Sequence, residues 1–173
     1  MSSFEKNIGF QEEKLARYIS EHSQAEDPLL SALSRETFVK IYHPRRSSNH
    51  LSGKLLEMFS RMIQPAAILE IGTFTGYGAI CLARGLAPDG ILHTIEINDE
   101  METFILKWLE KSGLSDKIKL HIGDAFETIP QIPEQFDLVF IDGEKDQYCD
   151  YYNLIFDKVK SGGFILADNV LWS

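Results

Sequence analysis

The feature that most constrains this chain is a repeated pattern. Short, mostly apolar runs stop abruptly at acidic or polar residues, and helical patterns alternate with them. Ala67 to Ile71 (AILEI), Ile91 to Glu96 (ILHTIE), Ile118 to Ile122, Phe136 to Asp142 (FDLVFID) and Phe164 to Ala167 (FILA) read as short buried strands. Tyr77 to Leu86, Asp99 to Lys111 and Gln147 to Lys160 carry helical periodicity between them. Strands alternating with helices imply right-handed βαβ units and a doubly wound, mostly parallel sheet, an α/β fold. In such sheets ligands sit outside the carboxyl ends of the strands.

The first third reads differently. Residues 11 to 22 place Leu15, Tyr18 and Ile19 on one face. Asp27-Pro28 opens a second helix, which His43-Pro44 breaks. His50 to Ile63 is a third, with Leu51, Leu55, Leu56, Phe59 and Ile63 as its apolar stripe. The expected organisation is a helical cap over residues 1–64 and a binding core over 65–173, in one compact unit.

Net charge is −9 over 173 residues, which argues against a nucleic-acid or anionic-membrane surface. Lys40 to Arg46 (KIYHPRR) is the one local basic segment. The two cysteines, Cys81 and Cys149, lie far apart and form no CxxC, so neither a disulfide framework nor a structural zinc site is expected. The five histidines show no paired ligand spacing. The N-terminal stretch has no apolar h-region and no run approaches a membrane span, so a cytoplasmic location is the expectation.

The strand ends carry the chemistry. "EIGTFTGYG" places glycines at 72, 76 and 78 after a strand and before a helix. The spacing is GxxxGxG, not GxGxxG, yet it still lets a ligand approach the backbone. A plain tight turn is the alternative. Glu70 repels phosphate and suits a ligand with a cationic end, such as an amino acid or a sulfonium. Glu96 ends the next strand about 20 residues on, where an acid grips ribose hydroxyls in nucleotide folds. Asp142, Asp168 and Asn169 offer three hard oxygens from neighbouring strand ends, few enough to leave a Mg²⁺ open positions. Asp168-Asn169 can equally cap a turn. Lys145, three residues past Asp142, reads either as a general base or as a solvated surface lysine.

Together these segments resemble the cation-dependent O-methyltransferases, the family of catechol and caffeoyl-CoA O-methyltransferases. "ILEIGTFTGYGAICLA" is similar to the family's glycine motif, "FDLVFIDGEKDQY" to its metal-and-base motif and "GGFILADNVLW" to its second metal motif. "SNHLSGKLLEM" resembles the segment that closes over the cofactor, and the likeness runs from about Arg35 onward. The resemblance implies a Rossmann-like methyltransferase fold with S-adenosyl-L-methionine as cofactor. Glu70, Gly72, Thr73, Gly78 and the backbone near Ser48 would surround its methionine part, Glu96 its ribose and Ala125 its adenine. Asp142, Asp168 and Asn169 would bind Mg²⁺ or a similar cation, with Asp142 also facing the cofactor. Lys145 would deprotonate a hydroxyl of a catechol-like acceptor, and a homodimer would be the assembly.

Gly78 stands where the family often has Ser, and Ser52 where Gln or Lys is common. The family continues past "DNVLW" with a helix and two more strands, so the resemblance also implies a C-terminally truncated member whose last strand is an exposed edge, or one whose edge another chain covers. Two rival functions follow: a cofactor-binding module without turnover, its acceptor wall missing, and a nicotinamide-dependent dehydrogenase. The dehydrogenase is disfavoured by Glu70, by the absent GxGxxG and by the metal triad.

Overall fold

The structure is a computed structural model that describes residues 14–15, 17–19, 21–44 and 47–171. The expected first helix lies partly outside these residues, as do Arg45 and Arg46 of the basic segment; Leu15 and Tyr18 are exposed.

Helix α1, Pro28–Lys40, begins as the sequence predicts. Asp27 caps it, accepting from the N–H of Leu29 at 2.8 Å, and Pro28 occupies the first turn. Helix α2, His50–Ile63, is capped by Asn49, which accepts from Ser52 N–H at 3.0 Å. Its buried face is not the expected leucine stripe. Gly53, Leu56, Glu57 and Ser60 face inward, while Leu51, Leu55 and Phe59 stay exposed. The reason is close approach to α3, Tyr77–Ala83. A Cβ at Gly53 would lie 2.5 Å from Tyr77 Cε1, and the Ser60 hydroxyl donates to the Leu82 carbonyl at 2.6 Å.

The sheet holds β1 (Ala67–Ile71), β2 (Ile91–Glu96), β3 (Ile118–Ile122), β4 (Phe136–Ile141) and β5 (Val159–Ala167). Its order is β3-β2-β1-β4-β5, with every pair parallel. Strands β1 and β4 are internal and almost wholly buried, which explains why they are apolar except at Glu70 and Asp137. One face packs under α1 to α3 and α4 (Glu102–Ser112) through Leu33, Ile80, Ile105 and Trp108. The other packs under α5 (Ala125–Thr128) and α6 (Tyr148–Ile155) through Leu69, Ile129, Val139 and Ile155.

Several boundaries differ from expectation: α3 ends at Ala83 rather than Leu86, α4 begins at Glu102 rather than Asp99, and the largest differences lie around β5. The last helix ends at Ile155, and Ser161-Gly162-Gly163, expected to end that helix, lies inside a longer β5. The extra residues form a bulge: Phe136 pairs with Val159, but Leu138 pairs with Phe164. Helix α5 carries no expectation from the sequence, because four residues show no period.

The order places a topological switch point between β1 and β4. From β1 the chain moves outward through β2 and β3, then returns to build β4 and β5 on the other side. The crevice at the carboxyl ends of β1 and β4 is where an open α/β sheet binds its ligand.

Candidate active site at the strand ends

The loops that leave the strands are fastened by extensions of the ladder. Gly72 N–H and Thr73 N–H both donate to the Ile95 carbonyl at 3.0 and 3.1 Å, Asp142 N–H to Ile71 at 2.9 Å, and Asp168 N–H to Ile141 at 3.1 Å. Gly72 has a φ of 100°, and a Cβ there would lie 2.5 Å from the Asp142 carbonyl oxygen. Both facts require glycine, and together they bring β1's loop against β4's.

A narrow cleft opens at this crevice. It is lined by Ser48, Glu70, Gly72, Thr73, Gly78 and Asp142, which the sequence reading had assigned to one ligand, and also by Ser47 and Thr75. Glu70 is its fully buried acid. Its carboxyl is 1% exposed, accepts from the Thr94 hydroxyl at 2.6 Å and has no cationic partner in these contacts. Burial, with Asp142 and Glu96 adding repulsion, outweighs the Thr94 hydrogen bond and pushes its pKa up to about 8. A Cβ at position 78 would collide with Glu70 Oε1, so Gly78 makes room for that carboxylate. Thr94, which the sequence reading passed over as a strand residue, links Glu70 to Thr73, whose hydroxyl lies 2.5 Å away. A buried acid without a counter-charge fits the cationic end of an amino-acid-like ligand.

Glu96 sits beside the cleft. Its two oxygens accept from Phe74 N–H at 2.7 Å and Asn98 N–H at 3.0 Å, which fixes its orientation and leaves lone pairs for a diol. Phe74 has a φ of 49°, a costly conformation for a bulky residue and one that concentrates at ligand loops. Ala125 does not line the cleft. It opens α5 one loop away, where Gly123 N–H donates to the Glu96 carbonyl at 2.8 Å.

On the other side of the crevice, Lys145 Nζ lies 2.7 Å from Asp142 Oδ1 and 2.6 Å from the Tyr148 hydroxyl. Burial raises the pKa of Asp142 despite this partner. Burial also works against the Lys145 ammonium, but the bonds to Asp142 and Tyr148 outweigh it and hold its pKa above the ordinary lysine value. Asp168 and Asn169 follow β5, the strand paired with β4. Asn169 has a φ of 55°, which asparagine tolerates, and its N–H donates to Asp168 Oδ1 at 2.7 Å. Among the described residues no three His, Cys, Asp or Glu side chains are arranged to hold a metal. The candidate set here is two carboxylates and one amide, hard oxygens few enough to suit Mg²⁺.

A larger cavity, about 470 Å³, lies elsewhere, lined by His93, Lys119, His121, Glu127 and Gln131. Neither the glycine loop nor Asp142 and Asp168 line it. It shows a contact that spacing concealed: His93 Nδ1 and His121 Nε2 are 2.9 Å apart across β2 and β3.

The model of the O-methyltransferase family matches residues 20–173. The chain belongs to the O-methyltransferase family. It is 31% identical over 163 residues to a catechol O-methyltransferase of Niastella koreensis, covering 92% of this chain and 73% of that protein. It is 36% identical to caffeoyl-CoA O-methyltransferase 2 of Petunia hybrida, covering 70% of this chain and 52% of that one. The chain thus spans about half the length of such caffeoyl-CoA relatives. Among solved structures, the O-methyltransferase TomG of Streptomyces achromogenes, in complex with S-adenosyl-L-methionine, superposes with a TM-score of 0.84 at 31% identity. That match covers 91% of this chain and 72% of TomG. The family membership and the Rossmann-like α/β fold accord with the resemblance of the motifs. No helix among the described residues is long and apolar enough to cross a membrane.

Proposed function

We propose that the protein transfers the methyl group of S-adenosyl-L-methionine to a hydroxyl of a catechol-type aromatic, with a divalent cation such as Mg²⁺. The observation that carries this reading is the meeting of Lys145 and Asp142 at 2.7 Å on the end of β4, beside the Asp168-Asn169 end of β5 and one strand from buried Glu70.

Glu70 takes the cofactor's ammonium group, and the backbone around Gly72, Thr73, Gly78 and Ser48 encloses the methionine part. Glu96 accepts from the ribose hydroxyls, and the loop at Ala125 borders the adenine. Asp142, Asp168 and Asn169 hold the cation. When bound there, the cation supplies Lewis acidity to vicinal hydroxyl oxygens and lowers their pKa. Lys145 stands next to that position and receives the acceptor proton, which requires that its ammonium first give up its own. Holding both reactants in one crevice supplies much of the rate by approximation.

The test is transfer from labelled S-adenosyl-L-methionine to a panel of catechols, with Mg²⁺ and again with EDTA. Transfer that disappears in EDTA is expected. Equal transfer in both conditions overturns the cation dependence, and no transfer in either leaves cofactor binding without turnover.

A further inference from the structure

The ends of β4 and β5 part company at the residues that matter most. Their last ladder pair is Ile141 with Ala167, and their last backbone bond runs from Asp168 N–H to the Ile141 carbonyl at 3.1 Å. Beyond it the sheet no longer fixes the spacing of Asp142, Asp168 and Asn169.

Tyr148, the first residue of α6, reaches into this gap. Its hydroxyl lies 2.9 Å from the Asp168 carbonyl oxygen and 3.2 Å from the Ile141 carbonyl oxygen. Lys145 Nζ donates to the same oxygen at 2.6 Å. A phenol has one proton to give and lone pairs to receive. This one gives its proton to the paired carbonyls and receives the ammonium. One oxygen therefore joins the end of β4, the end of β5 and the lysine. The half-buried ring is held separately, beside Tyr151 and 4.9 Å from the lysine nitrogen that sits over it.

We propose that Tyr148 is a positioning residue for the cation site, its hydroxyl clasping the two strand ends so that Asp142, Asp168 and Lys145 keep their spacing. The inference rests on the cation-dependent reading above. Groups that orient metal ligands from behind typically cost 10- to 100-fold in metal affinity when removed.

The experiment is a titration of the full chain with Mn²⁺, followed by electron paramagnetic resonance, in wild type, Tyr148→Phe and Tyr152→Phe. Phe keeps the ring and deletes the clasp. Tyr152 is an exposed tyrosine on the same helix. The dissociation constant is expected to rise roughly tenfold or more in Tyr148→Phe and to stay unchanged in Tyr152→Phe. Hydrogen exchange at the Asp168 amide is expected to quicken in metal-free Tyr148→Phe. A merely structural tyrosine would lower the melting temperature without moving the affinity of the folded protein. Unchanged Mn²⁺ affinity in Tyr148→Phe, with wild type binding, overturns this role alone. A wild type that binds no Mn²⁺ overturns the cation reading and this role with it.

Discussion

At the scale of single residues, Glu70 shows how stability and binding pull apart. Its carboxyl, with an unfolded pKa near 4.5, is pushed up to about 8 by burial first and by Asp142 and Glu96 after it. Between these values the folded chain binds more protons than the unfolded one, so stability falls as pH rises from about 4.5 to about 8. Replacing the acid by its neutral isostere removes that slope. Glu70→Gln is therefore expected to raise the urea midpoint of the ligand-free protein above about pH 8 and to flatten its pH dependence below. The same change is expected to weaken S-adenosyl-L-methionine by about 2 kcal/mol, some thirtyfold, because the ammonium loses an ionised partner. Denaturation curves across pH and calorimetric binding check the two signs independently. A variant destabilised at alkaline pH would show that Glu70 has a cationic partner in the free protein after all.

At the scale of elements, helix α2 separates what periodicity can show from what it cannot. Its bounds follow from Asn49 and from the apolar spacing. Its orientation does not, because the inward face is chosen by fit: glycine and serine let α2 approach Tyr77, Cys81 and Leu82 more closely than leucine would. Gly53→Ala is expected to cost about 1–3 kcal/mol, since its Cβ would meet Tyr77 Cε1 at 2.5 Å and Cys81 Sγ at 2.9 Å. Leu55→Ser, on the exposed side, is expected to stay within about 0.5 kcal/mol. Thermal denaturation of both variants checks the ranking. The same division runs through the rest of the chain. Strands β1 and β4 were legible because both their faces are buried, and the order of the motifs along the chain pointed to the family. In the cleft, Glu70, Gly72, Gly78 and Asp142 were legible because strand ends and glycines mark them, Ser48 and Thr73 only through the resemblance, and Ser47 and Thr75 not at all. Thr94, Tyr148 and the His93–His121 contact were not, because each depends on which strands and helices lie side by side. The bulge in β5 was hidden because its Ser-Gly-Gly reads as the end of a helix.

At the scale of the whole molecule, the two sides of the sheet titrate in opposite directions. Strands β2 and β3 hold His93 and His121 on one face, 2.9 Å apart, with Glu134 Oε2 3.7 Å from His93 Nε2 and Lys119 nearby. Burial holds both imidazoles below the ordinary histidine value and outweighs the pull of Glu134, while Lys119 adds to the lowering at each. The folded chain thus binds fewer protons here than the unfolded chain once pH drops toward 6.5, and stability is lost as pH falls through that region. Glu70 works the other way, losing stability as pH rises toward 8. Below about pH 6.5 the histidine pair's loss opposes the glutamate's gain, and above it the glutamate's loss acts alone. Urea midpoints measured from pH 5 to 9 should therefore fall above about pH 6.5 and change less steeply below it. His93→Leu should steepen the rise toward acid pH and leave the alkaline limb, whereas Glu70→Gln should flatten the alkaline limb and expose the loss toward acid pH. His93 and Glu70 sit one ladder step apart on β2 and β1, but their side chains leave opposite faces of the sheet and share no hydrogen-bond partner, so the double variant should show about the sum of the two changes. A fall toward acid pH that survives His93→Leu would assign the loss to carboxylates such as Asp137, whose pKa is lowered by Lys160 and by the N–H groups of Ala66 and Ala67 against its burial, and would place it at lower pH.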